Sequence, residues 1–202
     1  MRQIAALYVM GDGPYAGLPG VDVWDEERDA RLYRGPHPVV AHPPCERWGR
    51  YWSGGPNSTR KKKLGDDGGC FGAALYAVRR FGGVLEHPEA SHAFAHYGLM
   101  RPAWHGGWSG PDRFGGMVCC VSQGWYGHRA RKMTWLYVVR CDVPELRWGP
   151  KPGCPRLDWG LSREKMARGQ TRFKGERLSK KQRKATPIPF RDLLISIART
   201  AR

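Results

Sequence analysis

The residue of this sequence best placed to act on a substrate is a cysteine. Cys45 ends the run Val39-Val40-Ala41-His42-Pro43-Pro44-Cys45. Val39 and Val40 suit a buried strand, and Pro43 and Pro44 lack the N–H groups that would carry a ladder or a helix further. The thiol is therefore expected on a stiff loop at a strand's carboxyl end, where ligands bind in an open α/β sheet. A thiol displayed there suits nucleophilic chemistry, while a buried, inert cysteine on a proline-rich connection fits the same residues equally well. Gly83-Val84-Leu85-Glu86-His87-Pro88 repeats the design, an apolar strand with an acid and a proline that stops it, so Glu86 is a candidate to share the cleft. In Gln123-Gly124-Trp125-Tyr126-Gly127-His128-Arg129-Ala130-Arg131-Lys132, aromatic and cationic side chains crowd a turn. There Arg129 and Arg131 can clamp a phosphate or a base carbonyl bidentately, with Lys132 beside them. His87, His92 and His96 lie close in sequence. Histidines are more often hydrogen-bonded or exposed than ligating, so no metal site is assigned.

These groups need a scaffold, and the apolar pattern supplies one. Ile4 to Val9 reads as a first strand and Gly11-Asp12-Gly13-Pro14 as a turn that lets a ligand approach the backbone, or as a plain turn. Val21 to Trp24 reads as a second strand, and Asp25 as the cap of a helix through about Tyr33. Asp22 and Asp25 are then either ligands for a cofactor hydroxyl or ordinary turn and cap residues. Phe71, Leu75 and Val78 recur at helical spacing between Asp66 and Arg80, with Gly82 able to close that helix. Residues 98–116 read as a long loop, Met117 to Val121 and Thr134 to Val139 as strands. The chain ends in a helix through about Thr200, with Phe190, Leu193, Leu194 and Ile197 on one apolar face. The pattern predicts an α/β fold, a mostly parallel sheet flanked by helices with long basic loops, forming one domain over residues 1–202. Within it, 144–185 is expected to be a basic, irregular segment.

Lys and Arg outnumber Asp and Glu by 34 to 18, a formal net charge of +16. Such a field attracts polyanions, which makes nucleic acid the expected partner: DNA, with RNA or nucleotides as variants. The loop after Cys45 interleaves Arg47, Trp48 and Arg50 and runs on to Lys61, Lys62 and Lys63. This composition matches phosphate contact with base stacking, and also a solvated loop. None of the six cysteines forms a Cys-x-x-Cys pair, and no signal-like amino terminus is seen. Reduced thiols and a cytoplasmic location are therefore expected, with no membrane partner, since no apolar run is long enough to span one.

The order of these pieces resembles the DNA cytosine-5 methyltransferase family. Pro43-Pro44-Cys45 looks like its Pro-Pro-Cys nucleophile loop. Glu86-His87-Pro88 looks like its Glu-Asn-Val or Glu-Asn-Pro strand end, with His87 in place of Asn. Tyr126-Gly127-His128-Arg129-Ala130-Arg131 before the strand from Thr134 is similar to its Gln-x-Arg-x-Arg block, with the Gln out of register. Ala185-Thr186-Pro187-Ile188-Pro189-Phe190 is faintly similar to its closing segment. The resemblance implies a compact, phage-like relative with a Rossmann-like, methyltransferase-related core. It further implies that Cys45 attacks pyrimidine C6, that Glu86 hydrogen-bonds N3, and that Arg129 and Arg131 hold the base or its phosphate. The base would be extruded from the stack, with Trp48 to Trp52 flanking the gap. S-adenosylmethionine is the implied cofactor, at Gly11, Gly13 and Asp22, although only a loop's worth of chain separates Gly13 from Asp22. Two other readings keep the same cleft: a donor-independent pyrimidine-modifying enzyme, and a nucleic-acid-binding protein without turnover.

Overall fold

Strands buried on both faces carry continuous apolar runs, and Val39, Val40 and Ala41 are all fully buried. In the computed structural model, which describes residues 1–54, 62–154 and 178–202, they form the short strand β3 (Val39–Ala41). The other strands are β1 (Ile4–Leu7), β2 (Val21–Trp24), β4 (Gly83–Pro88), β5 (Met117–Ser122) and β6 (Met133–Val139). They make a six-stranded mixed sheet in the order β2-β1-β3-β4-β6-β5. β1 pairs parallel to β2 and to β3, and β3 parallel to β4. β6 runs antiparallel to both β4 and β5.

The period of two along each strand sorts the core into two layers. Ala5, Leu7, Val39, Ala41 and Leu85 face helix α1 (Cys70–Phe81), which buries Phe71, Ala74, Leu75 and Val78. Ile4, Ala6, Val40 and Val84 face the carboxyl-terminal helix, which buries Phe190, Leu194, Ile197 and Ala198. Two short helices lie between these: α2 (His92–His96) and α3 (Lys180–Lys184). The last helix, α4 (Ile188–Arg199), has Pro187 at its cap and Pro189 in its first turn, where missing N–H groups cost nothing. Gly83 opens β4 at φ 129°, where a Cβ would stand 2.0 Å from the Val39 carbonyl oxygen, so the close β3–β4 approach requires glycine.

Three expectations are corrected. The first strand stops at Leu7, because Tyr8 turns to φ 60°. The helix expected from Asp25 to Tyr33 does not form: Asp25 Oδ1 accepts from the Arg28 amide in a turn, Asp29 adopts φ 50°, and only Ala30–Leu32 winds into a 3-10 turn. The helix expected from Asp66 begins at Cys70, because the Asp67 carboxylate accepts from the amides of Gly69 and Phe71 ahead of and inside its first turn. Of the expected irregular segment 144–185, residues 155–177 lie outside the described chain, and 180–184 are helical.

β1 leads to β2 on one side while β3 lies on its other side, so the order reverses between β1 and β3. In an open sheet that reversal leaves a crevice at the carboxyl ends of the two strands.

Candidate functional site

The ladder sets where the crevice loop begins. His42 donates its amide to the Leu7 carbonyl at 3.0 Å, extending the β1–β3 pairing by one residue, and the two prolines end it. The Cys45 carbonyl then accepts from the amides of Trp48 at 3.1 Å and Gly49 at 2.8 Å, closing a turn directly behind the thiol. Alternation puts His42 on the sheet face of Val40 and Glu86 on that of Val84, both toward α4. His87 therefore points the opposite way. It is fully buried on the α1 face, its ring 5.1 Å from that of Phe71, and its Nδ1 is 2.7 Å from Ser91 Oγ.

Glu86 is the hub of the network on the α4 face. His42 Nδ1 stands 3.1 Å from Glu86 Oε2, and Tyr15 Oη stands 2.8 Å from His42 Nε2. Gln123 Nε2 donates to Glu86 Oε1 at 3.1 Å and to Thr134 Oγ1 at 2.9 Å. Burial alone would raise the Glu86 carboxyl. The His42 hydrogen bond, the imidazole's charge and the Lys132 ammonium hold it down to about 2. An ionised carboxylate only accepts, so His42 Nδ1 carries a hydrogen; in the neutral ring Nε2 accepts from the Tyr15 hydroxyl, and in the imidazolium Nε2 donates to the Tyr15 oxygen.

Burial and the Glu86 charge push the Cys45 thiol up, against the opposing pull of Lys184. The thiol is thus neutral at pH 7 rather than a ready thiolate. Lys132 sits at φ 34° where β6 begins, and its Nζ donates to the carbonyls of Ala185 at 2.8 Å and Lys184 at 3.3 Å. Burial lowers its ammonium while the charges of Glu86 and Cys45 raise it. Lys184 Nζ pairs with Glu46 Oε1 at 2.8 Å across the loop. The segment at residues 184–185 and the loop of Cys45 and Glu46 therefore meet beside Lys132.

Cys45 and Glu86 thus belong to one electrostatic cluster, as the strand ends suggested, and the cation of the 123–132 turn that acts on both is Lys132. Arg131 donates from Nε to the Cys154 carbonyl at 3.0 Å, and Arg129 is exposed on the turn. Trp48 is corrected from a base-contacting residue to a core one. It is 2% exposed, donates to Asp67 Oδ2 at 2.7 Å, and packs against Phe71, His96 and Tyr97. Arg50 is exposed and pairs with Glu89 at 2.7 Å, while Arg47 and Lys62 are half-buried and Lys63 is exposed. Lys61 lies outside the described residues. Among the described residues no group of three potential metal ligands converges.

The residues expected to hold S-adenosylmethionine do not fit it. The β1–β2 connection consists of turns, so no helix amino terminus backs the glycines. A Cβ on Gly11 would meet Asp25 Oδ2 at 2.7 Å, and one on Gly13 would meet Met10 at 3.1 Å, so both glycines accommodate the chain itself. Asp22 already accepts from Trp24 Nε1 at 2.7 Å and from Arg28 at 2.6 Å, which leaves it poorly placed to bind a cofactor hydroxyl.

His42, Tyr15, Gln123 and Thr134 were not singled out by sequence reasoning. Strand alternation could have aligned His42 with Glu86, but Tyr15 reaches the site from an irregular turn that carries no periodic signal. No helix of the described chain is long and apolar enough to cross a membrane. No protein-family model, no curated protein and no solved structure matches this chain.

Proposed function

We propose that this protein modifies a pyrimidine of nucleic acid, cytosine of DNA in the first instance, through addition of the Cys45 thiol to C6. The observation that carries the reading is the convergence of Cys45 and Glu86 from the carboxyl ends of adjacent parallel strands, where the charge of one shifts the titration of the other. A pyrimidine ring is inert at C5 until a nucleophile saturates C6, and a half-buried acid and thiol side by side are the groups that step needs. The resemblance of Pro43-Pro44-Cys45 and Glu86-His87-Pro88 to the cytosine-5 methyltransferase motifs supports the same assignment. The net charge of +16 supports a polyanionic substrate. The misfit of the methyl-donor residues favours the donor-independent form of this chemistry, in which C5 exchanges its hydrogen with solvent.

The test is deuterium incorporation at C5. A cytosine-containing oligonucleotide incubated with the protein in D2O, without added cofactor, is expected to yield deoxycytidine one mass unit heavier after digestion. Cys45→Ser is expected to abolish the gain, whereas serine at Cys70 or Cys154 leaves it intact. Tight, salt-sensitive binding with no exchange would instead favour the binding protein without turnover.

A further inference from the structure

Thiol addition makes a demand that Glu86 alone does not meet. As Sγ bonds to C6, the electron pair of the C5=C6 π bond spreads over C5, C4 and N3, and a carboxylate facing N3 opposes it unless a proton arrives. Both Glu86 oxygens are already engaged as acceptors, Oε1 by Gln123 and Oε2 by His42, each at 3.1 Å. Resting on the reading above, we propose that the His42 imidazolium supplies this proton, passing it from Nδ1 through Glu86 to N3 while Nε2 keeps its hydrogen, and that Tyr15, whose oxygen accepts from Nε2–H, is the positioning residue that holds the ring in line.

The geometry is that of an orienter, an acid and a carrier in line: Tyr15 Oη to His42 Nε2 at 2.8 Å, and His42 Nδ1 to Glu86 Oε2 at 3.1 Å. The His42 and Glu86 side chains are each 13% exposed and Tyr15 is 2% exposed, so bulk water competes little for these bonds. Burial and the Glu86 charge push the Tyr15 hydroxyl well above the ordinary phenol range, so it keeps its proton and orients rather than transfers. His87 takes no part, because alternation turns it to the other face of the sheet.

The step balances without oxidant or reductant. The thiol releases its proton to solvent, Sγ–C6 forms as the C5=C6 π bond breaks, and N3 takes the Nδ1 proton of the His42 imidazolium by way of Glu86, which leaves a neutral ring with its hydrogen on Nε2. C5 takes a deuteron from D2O and gives up its original hydrogen. Sγ–C6 then breaks, the double bond returns, the N3 proton passes back through Glu86 to His42 Nδ1, and the released thiolate regains a proton from solvent.

Exchange thus needs a proton on the His42–Glu86 pair and none on Cys45, which predicts a bell-shaped pH profile whose falling, alkaline limb belongs to the pair. The groups acting on the pair are Tyr15 from the β1–β2 connection, Lys132 at the start of β6, Cys45 on its loop and His87 along β4, and Arg191 and Asp192 of α4 act on Tyr15.

The experiment is C5 deuterium exchange across pH for the wild type, His42→Asn, His42→Ala and Tyr15→Phe. Iodoacetamide labelling of Cys45, read by peptide mass, reports on the integrity of the loop. Asn keeps an N–H toward Glu86 but carries no titrating proton. The expected result is a loss of about 10²-fold and of the falling limb in His42→Asn. His42→Ala is expected to be partly restored by added imidazole, and Tyr15→Phe to move the falling limb. Wild-type rate or an intact falling limb in His42→Asn would overturn the proposal. Should that variant fail to fold, an unmoved limb in Tyr15→Phe together with no imidazole rescue overturns it equally. Exchange that survives Cys45→Ser, or is absent in the wild type, removes the Cys45 reading itself and the relay with it.

Discussion

The carboxyl ends of β1 and β2 and those of β3 and β4 lie side by side in one sheet, yet their polar groups are spent differently. At β1 and β2 the carboxylate of Asp22 is used up by Trp24 and Arg28, and Gly11 leaves room only for Asp25. At β3 and β4 a largely buried anion, a neutral thiol and an imidazole stand together: His42 and Lys132 hold the Glu86 carboxyl down, and the Glu86 charge pushes the Cys45 thiol up. Such coupling is what acid–base and nucleophilic chemistry requires, whereas a self-satisfied turn offers a ligand nothing it does not already have. The coupled groups thus lie at one half of the crevice, and from the other half Tyr15 reaches across to His42.

Substitutions at equivalent places in the two halves should break that comparison most sharply. Glu86→Gln removes the buried anion and is expected to slow C5 exchange by about 10²-fold or more, while Asp22→Asn leaves the rate within about twofold. Asp22 and Arg28 are 39% and 46% exposed, so losing their pair should cost no more than about 1 kcal/mol in chemical denaturation. Comparable rate losses in both variants would mean that the β1–β2 end takes part in the reaction.

The donor end can be probed directly. S-adenosylmethionine titrated to millimolar concentration in a calorimeter is expected to give no saturable heat, with or without DNA. A saturable isotherm that weakens in Gly13→Val would restore a donor site there.

The two faces of β4 offer a smaller contrast. Burial lowers His87 to about 4 from an unfolded value near 6.5, so the unfolded chain binds the extra proton first. Its contribution to stability is therefore complete above about pH 6.5 and is lost progressively as pH falls toward 4. Glu86 acts lower: its contribution is present above about pH 4.5 and is lost as pH falls toward 2. His87→Asn should flatten the melting temperature between pH 6.5 and 4 without changing the region below it. A wild-type slope retained in that variant would assign the proton uptake elsewhere.

The smallest effect is expected on the loop. Lys62→Ala and Lys63→Ala should each reduce the salt slope of duplex DNA binding by up to about 0.9 if they contact phosphates. An unchanged slope in the double variant would remove this loop from the interface.

Much of the scaffold was written in local pattern. The runs around Val39, Val84 and Leu136 carry strand character in their residue types, and the spacing of Phe71, Leu75 and Val78 carries a helix, because both periodicities act over a few residues. The prolines after His42 and the partial repeat around Glu86 marked the strand ends at which the thiol and the acid stand. What no local pattern contained was partnership. Whether Arg131 or Lys132 turns toward Glu86 depends on the carbonyls of Cys154, Lys184 and Ala185, far away in sequence. Trp48 reads as a base-stacking residue in its basic loop, and only Asp67 and the aromatic rings of α1 and α2 draw it into the core. The sequence by itself determined which runs form strands, and that a cysteine and a glutamate stand with prolines at the carboxyl ends of two of them. The tertiary structure decided that Tyr15 and His42 join the glutamate and that the glycine turn serves its own chain, because hydrogen bonds between segments form only once strand order and face have brought their donors and acceptors within reach.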